Sequence, residues 1–124
     1  MQRNFDSLLQ EEIDKSEHKV SNAPIAKIVD MIIDYAYQDK ASDIHFEPEE
    51  KNSLMRFRID GILNDVLTLP KNFHERIISR IKILSKLRTD EHLAPQDGKM
   101  RIKLPEEELD IRVSILPITD GEKV

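Results

Sequence analysis

Two stretches of the chain each read as two strand segments joined by a turn, and residues 54–59, 99–104 and 109–115 within them alternate between apolar and polar side chains. In residues 54–69 the turn is Asp60-Gly61, a pair that favours a two-residue hairpin because glycine readily adopts a positive φ. In residues 99–115 the connection is Pro105–Glu108. Alternation places one set of side chains on each face of a strand. The sequence therefore predicts two antiparallel hairpins.

Two further segments have apolar residues at helical spacing, residues 24–39 and residues 71–88, the second with Asn72 as its predicted cap. A short alternating segment, residues 42–48, predicts another strand between them. Residues 89–98 and 119–122 are interpreted as turns. The order helix, three strands, helix, two strands predicts an α+β fold, with a mainly antiparallel sheet and helices on one face.

Composition limits the class of protein. The chain has 124 residues, 39% apolar and 35% charged, which fits one folded domain. It has no cysteine, so a disulfide scaffold and a thiolate zinc site are excluded. No apolar run approaches the roughly 20 residues that span a bilayer, and the N-terminus does not resemble a signal peptide. We expect a cytosolic protein, with a linker or flexible tail at residues 1–21 and the folded domain at residues 22–124.

The chain lacks the common catalytic motifs. It contains no GxxxxGK[ST], GxGxxG or HExxH, and its three glycines are isolated. We therefore expect no enzyme activity and no bound nucleotide from this chain alone. His45 shares one strand face with Asp43 and Glu47. A single strand cannot easily wrap its ligands around an ion, so we interpret the three as a solvated face or an interface patch and expect no metal site.

Basic side chains on the outward strand faces are candidates for phosphate or partner contacts. Arg56 and Arg58 alternate on the first hairpin, where a solvated face is the alternative. In the last hairpin we assume that Leu104 opposes Leu109. Lys103 would then oppose Asp110, Lys99 would oppose Ser114, and Arg101 would face Arg112. Two facing guanidinium groups predict an anion between them. The alternative interpretation is a basic face that residues 106–108 and solvent neutralise.

The basic helix predicted at residues 71–88 raises the alternative of nucleic-acid binding. The net charge of −5 and the lack of stacking aromatic side chains near the basic residues argue against it. We therefore expect no nucleic-acid partner.

Six segments together resemble one family, the type II secretion and type IV pilus assembly ATPases. The segment ASDIHFEP resembles that family's ASDIHIEP, RFRIDG its R-[FY]-R-[IV]-D-G, and SRIK followed by leucine its SRIK-x-[LM] helix. PQDGK resembles PQDGR, DIRVS resembles D-x-RVS, and GEKV resembles the start of GE[KR]VV. The segments follow the family's order and spacing from about residue 22 to residue 124.

The resemblance implies that this is the family's second N-terminal domain, a PAS-like module that precedes a RecA-like ATPase domain. It implies hexameric rings in which the module closes over ATP and Mg²⁺ held by the ATPase domain. The family's two phosphate-contacting positions fall on Lys99 and Arg112. Lys99 stands where the family more commonly has arginine, and Arg101, on the same strand face, is the candidate to replace that arginine. Arg56, Arg58 and His45 are candidate interface residues.

The partners implied are the protein's own C-terminal ATPase domain, neighbouring protomers and an inner-membrane platform protein. The implied location is cytoplasmic, peripheral to the inner membrane. The alternative that we keep is a stand-alone PAS-like interaction module without any ATPase role, which would have an internal cavity.

Overall fold

The structure is a computed structural model that describes residues 25–124. The predicted tail at residues 1–21 and the predicted start of the first helix at Pro24 lie outside the described residues. In chain order the elements are α1 Ile25–Gln38, β1 Asp43–Pro48, β2 Asn52–Ile59, β3 Ile62–Pro70, α2 Lys71–Leu84, β4 Gln96–Lys103, β5 Glu108–Ile118 and β6 Gly121–Lys123. The predicted α+β class is confirmed.

The strands form two antiparallel sheets of three, in the orders β1-β2-β3 and β4-β5-β6. Two backbone hydrogen bonds connect the sheets: Phe46 N donates to Val124 O at 2.7 Å, and Val124 N donates to Phe46 O at 3.1 Å. The edge of the first sheet therefore lies beside the end of β6. The prediction of a turn at residues 119–122 was wrong in part, because Gly121 and Glu122 belong to β6 and pair with Ile118 and Pro117.

The hairpin between β2 and β3 forms as predicted. Asp60 and Gly61 have φ values of 53° and 81°, and Ile59 pairs with Ile62. These positive φ values match the tight turn that suits the right-handed twist of the flanking strands. A bulge between Met55 and Arg56 shifts the register further along the hairpin.

Both helices and both sheets contribute to a hydrophobic core that is mainly aliphatic. α1 buries Ile28 and Ile32, and α2 buries Ile77 and Ile81. Phe57 of β2 is fully buried. Each buried aliphatic side chain stabilises the fold by about 1.5–3 kcal/mol. The inward faces predicted for the alternating strands are therefore the faces that the core uses.

The second helix is shorter than predicted: it ends at Leu84 rather than at residue 88. Lys86 has a φ of 59°, Lys86 N donates to Ile83 O at 3.2 Å, and Leu87 N donates to Lys82 O at 2.8 Å. This is a Schellman motif, which satisfies the last carbonyls and ends the helix. The prediction of Asn72 as the cap was also wrong: the helix is preceded by Pro70, with no side-chain capping bond.

Two strands are longer than predicted. β4 begins at Gln96, within the segment interpreted as a turn, and β5 continues through Pro117 to Ile118. Proline has no N–H to donate, so it usually ends a strand. Here β4 pairs with β5 only as far as Ile115, and beyond that residue β6 is the described neighbour of β5. The missing N–H of Pro117 therefore removes no bond to β4.

Candidate functional site

The register of the β4–β5 hairpin differs from the one assumed. Lys103 pairs with Glu108, Arg101 with Asp110, and Lys99 with Arg112, a shift of two residues. The turn is tight, with Leu104 N donating to Glu107 O at 2.7 Å. A shift of two keeps every side chain on its face and changes only its partner, because the side-chain period is two. The faces were correct, and the pairing of Arg101 with Arg112 was wrong.

Arg101 is neutralised within the hairpin. Its Nε lies 2.9 Å from Asp110 Oδ1 and 3.3 Å from Glu108 Oε1. The hydrogen bond to Asp110 and the charge of that carboxylate raise the pKa of Arg101. Its guanidinium group therefore has carboxylate partners in this structure, and binding an anion would compete with them.

Lys99 and Arg112 face each other across the two strands, and both side chains are exposed. Directly opposed residues place their Cβ atoms about 4.5–5.5 Å apart. Within residues 25–124 neither side chain has an ion pair or a hydrogen bond. Two adjacent positive charges without a carboxylate repel each other, so a bound anion would relieve that repulsion. The structure thus places the two implied phosphate-contacting residues side by side.

The preceding glycine anchors this site to the end of α2. A Cβ atom at Gly98 would lie 3.0 Å from Leu87 Cδ2 and 3.1 Å from Ser85 O. Gln96 forms two further contacts: its Nε2 donates to Arg88 O, and its Oε1 accepts from Arg88 N, each at 3.0 Å. The PQDG segment therefore packs closely against the connection after α2, which positions Lys99.

The other candidate residues lie together on the first sheet, on β1 and β2. Arg56 Nε is 3.0 Å from Asp65 Oδ1, and Arg58 Nε is 3.2 Å from Asp43 Oδ2. His45 is half-buried opposite Arg56, and its Nε2 has no hydrogen-bond partner among the described residues. The two arginines thus lie beside carboxylates of the same sheet, and their use as interface contacts stays a prediction. The described part of the chain contains no group of three or more metal-binding side chains.

A buried polar cluster was missed from the sequence. Lys82, one of the basic residues of the helix predicted at residues 71–88, is only 1% exposed, and its Nζ lies 2.9 Å from Glu122 Oε1. Lys82 also donates to Glu91 O at 2.7 Å, and His92 Nδ1 lies 2.8 Å from the same Glu122 oxygen. One feature of the sequence could have indicated the burial of Lys82: it follows Ile78 by one helical turn, at the edge of the buried stripe.

His74 belongs to the same region and is also buried. Its Nε2 lies 2.6 Å from Glu122 O and its Nδ1 2.6 Å from Ser53 Oγ. A carbonyl oxygen only accepts, so Nε2 donates to it and the Ser53 hydroxyl donates to Nδ1. Burial lowers the pKa of His74, which keeps the ring neutral. Ser53 and His74 are enclosed by the core, so they connect β2, α2 and β6 rather than forming an open site.

The described residues form an α+β domain with two opposed, exposed cations, and the family follows from the comparison with known proteins. Residues 18–124 match the family described as Type II/IV secretion system protein, and the chain belongs to that family. The family expected from the motifs is confirmed.

Curated relatives agree with this assignment. The chain is 43% identical over 115 residues to the type IV pilus assembly ATPase PilB of Myxococcus xanthus, covering 92% of this chain and 20% of that protein. It is 38% identical over 119 residues to the type II secretion system protein E of Xanthomonas campestris pv. campestris, covering 96% and 21%. It is 36% identical to the type II secretion system ATPase E of Vibrio cholerae, covering 94% and 24%. The chain thus spans about a fifth to a quarter of these relatives. Neither described helix is long and apolar enough to cross a membrane.

Proposed function

We propose that residues 22–124 act as a non-catalytic N-terminal domain of a hexameric type II secretion or type IV pilus assembly ATPase. In this proposal the domain closes over ATP that a RecA-like domain binds, and Lys99 and Arg112 contact the terminal phosphate. Closure would couple hydrolysis to protein secretion or pilin assembly. The observation that carries the proposal is the direct opposition of Lys99 and Arg112 without a carboxylate partner among the described residues.

The two side chains would contribute differently. Arg112 has a planar guanidinium group that can donate two parallel hydrogen bonds to phosphate oxygens, whereas Lys99 supplies a compact charge. Both lie on exposed, regular strands, so their backbone positions are set by the hairpin rather than by a mobile loop. Arg101 would have to leave Asp110 to join them, so we assign it a supporting role in this proposal.

Within the same proposal, the partners are the C-terminal ATPase domain, neighbouring protomers and an inner-membrane platform protein. The location is the cytoplasm, peripheral to the inner membrane. Mg²⁺ and the phosphate-binding loop are assigned to the ATPase domain, as the family resemblance implies. The names of the relatives support the ATPase and its secretion or pilus context.

The test uses the full-length ATPase with Arg112→Ala. Positive groups that stabilise a transferring phosphoryl group contribute a factor of about 10³ or more to turnover, so we expect ATP hydrolysis to fall at least about a hundredfold. Lys103→Ala is the matched control, since Lys103 is an exposed cation on the same strand face and pairs with Glu108. Turnover in Arg112→Ala equal to that of the control would contradict the phosphate contact. It would favour the stand-alone interaction module instead.

A further inference from the structure

The connection between α2 and β4 presents one exposed leucine on a loop that several polar contacts hold. We call residues 88–96 the knob loop. Leu93, near its centre, is 89% exposed, more than any other large hydrophobic side chain in the described part of the chain. Isolated exposed leucines are ordinary on protein surfaces. What distinguishes Leu93 is that polar contacts hold the backbone beside it.

Contacts of the residues that precede Leu93, together with the two hydrogen bonds between Gln96 and Arg88, hold the knob loop. Arg88 and Asp90 form a two-point ion pair, with Nε–Oδ1 and Nη2–Oδ2 distances of 3.1 and 2.9 Å. The Glu91 carboxylate accepts the Leu93 N–H at 2.9 Å. The backbone carbonyl of Glu91 accepts from buried Lys82, and His92 reaches buried Glu122. A loop held in this way loses little conformational entropy when a partner covers its apolar side chain.

A complementary surface exists elsewhere on the same domain. A groove of about 450 Å³ lies between the first turn of α1 and the outer face of α2, with Ile25 and Ile83 among its lining residues. Ile83 is 58% exposed. Arg80 lines the same groove, and its Nε is buried without a hydrogen-bond partner among the described residues. The groove thus combines exposed apolar surface with a donor that has no acceptor.

The net charges of the two surfaces have opposite signs. The knob loop carries one arginine, Arg88, and two carboxylates, Asp90 and Glu91. The groove carries two arginines, Arg76 and Arg80, and one carboxylate, Glu75. Opposite charge around an apolar contact favours correct pairing and faster association. The exposure of Leu93 shows that the groove of its own chain does not hold it.

We propose that Leu93 in the knob loop of one copy inserts into the α1–α2 groove of a second copy, against Ile83 and beside Arg80. This inference does not depend on the phosphate role of Lys99 and Arg112. Knob and groove are different surfaces, so each copy offers both halves of the contact.

The experiment is sedimentation of the 124-residue chain over about 10 µM to 1 mM, a range suited to a weak contact of this size. We expect concentration-dependent association that Leu93→Lys and Ile83→Lys each weaken at least about tenfold, because each change removes buried apolar surface. Ile62→Lys is the matched control, since Ile62 is 65% exposed on the β2–β3 hairpin. Thermal melting of each variant checks that the fold is kept.

A mixing experiment separates this pairing from other modes of association. Leu93→Lys keeps an intact groove and Ile83→Lys keeps an intact knob loop, so an equal mixture should associate where neither variant does alone. Three results would overturn the proposal: a wild-type chain that stays monomeric at about 1 mM, undiminished association of Leu93→Lys, or a mixture that stays monomeric.

Discussion

The ammonium group of Lys82 lies 2.9 Å from Oε1 of Glu122, and both side chains are buried. The pair connects the last turn of α2 to β6, 40 residues further along the chain. Lys82 also donates to Glu91 O, so one amine holds the helix, the last strand and the connection to β4 together. Such a pair is costly to form but far more costly to break on one side only.

The first prediction follows from that asymmetry. Lys82→Met leaves the Glu122 carboxylate buried with only His92 as a partner, so the free energy of unfolding should fall by about 3–5 kcal/mol. Lys82→Met combined with Glu122→Gln removes the uncompensated charge and should recover more than half of that loss. Urea unfolding followed by circular dichroism measures both. A loss below about 1 kcal/mol in the single variant would show that Glu122 finds another partner.

The second prediction separates stability from anion binding at the opposed cations. Lys99→Glu places a carboxylate opposite Arg112, so the free energy of unfolding should rise by about 0.2–1 kcal/mol. The same change should lower ATP turnover of the full-length protein, because it neutralises the proposed phosphate site. Lys103→Glu is the control: it faces Glu108, so it should lower stability by a similar amount. Equal stability changes in both variants would contradict the observed register.

The third prediction concerns the end of α2. Lys86 has a φ of 59°, a conformation that costs an L-residue roughly 1 kcal/mol and that glycine adopts freely. Lys86→Gly should therefore raise the free energy of unfolding by about 0.5–1 kcal/mol. Lys51→Gly is the control, because Lys51 is exposed and does not have a positive φ. The urea midpoint should increase for the first variant and stay level or decrease for the second.

The fourth prediction concerns pH. Burial lowers the pKa of His74 in the folded chain below the ordinary value of about 6.5, which applies to the unfolded chain. At a pH between the folded and the unfolded pKa, the unfolded chain therefore binds one more proton than the folded chain. The contribution of neutral His74 is fully present above about pH 6.5 and is lost as the pH falls through and below that value. His74→Gln should therefore lose less stability than the wild-type chain between pH 7.5 and 5.5. Urea unfolding at both pH values measures the loss of stability in each protein. Identical losses in the wild-type chain and in His74→Gln would contradict this prediction.

Much of the fold could be predicted because its causes are local. Period two determined which faces of β2, β4 and β5 are buried, and helical spacing determined the buried stripes of α1 and α2. The Asp60-Gly61 turn followed from the backbone preferences of two adjacent residues. The candidate phosphate residues Lys99 and Arg112 were chosen from a family resemblance, and alternation placed both on the outward face.

The sequence alone therefore determined the two helices and the first five strands in their order, the buried faces of β2, β4 and β5, and the family. Tertiary structure decided which outward residues meet. The register of β4 and β5 depends on a turn closed by Leu104 and Glu107, and a shift of two residues leaves the hydrophobic pattern unchanged. Likewise, Lys82 is buried because Glu122 arrives from a distant strand to compensate its charge, and no local pattern encodes that meeting.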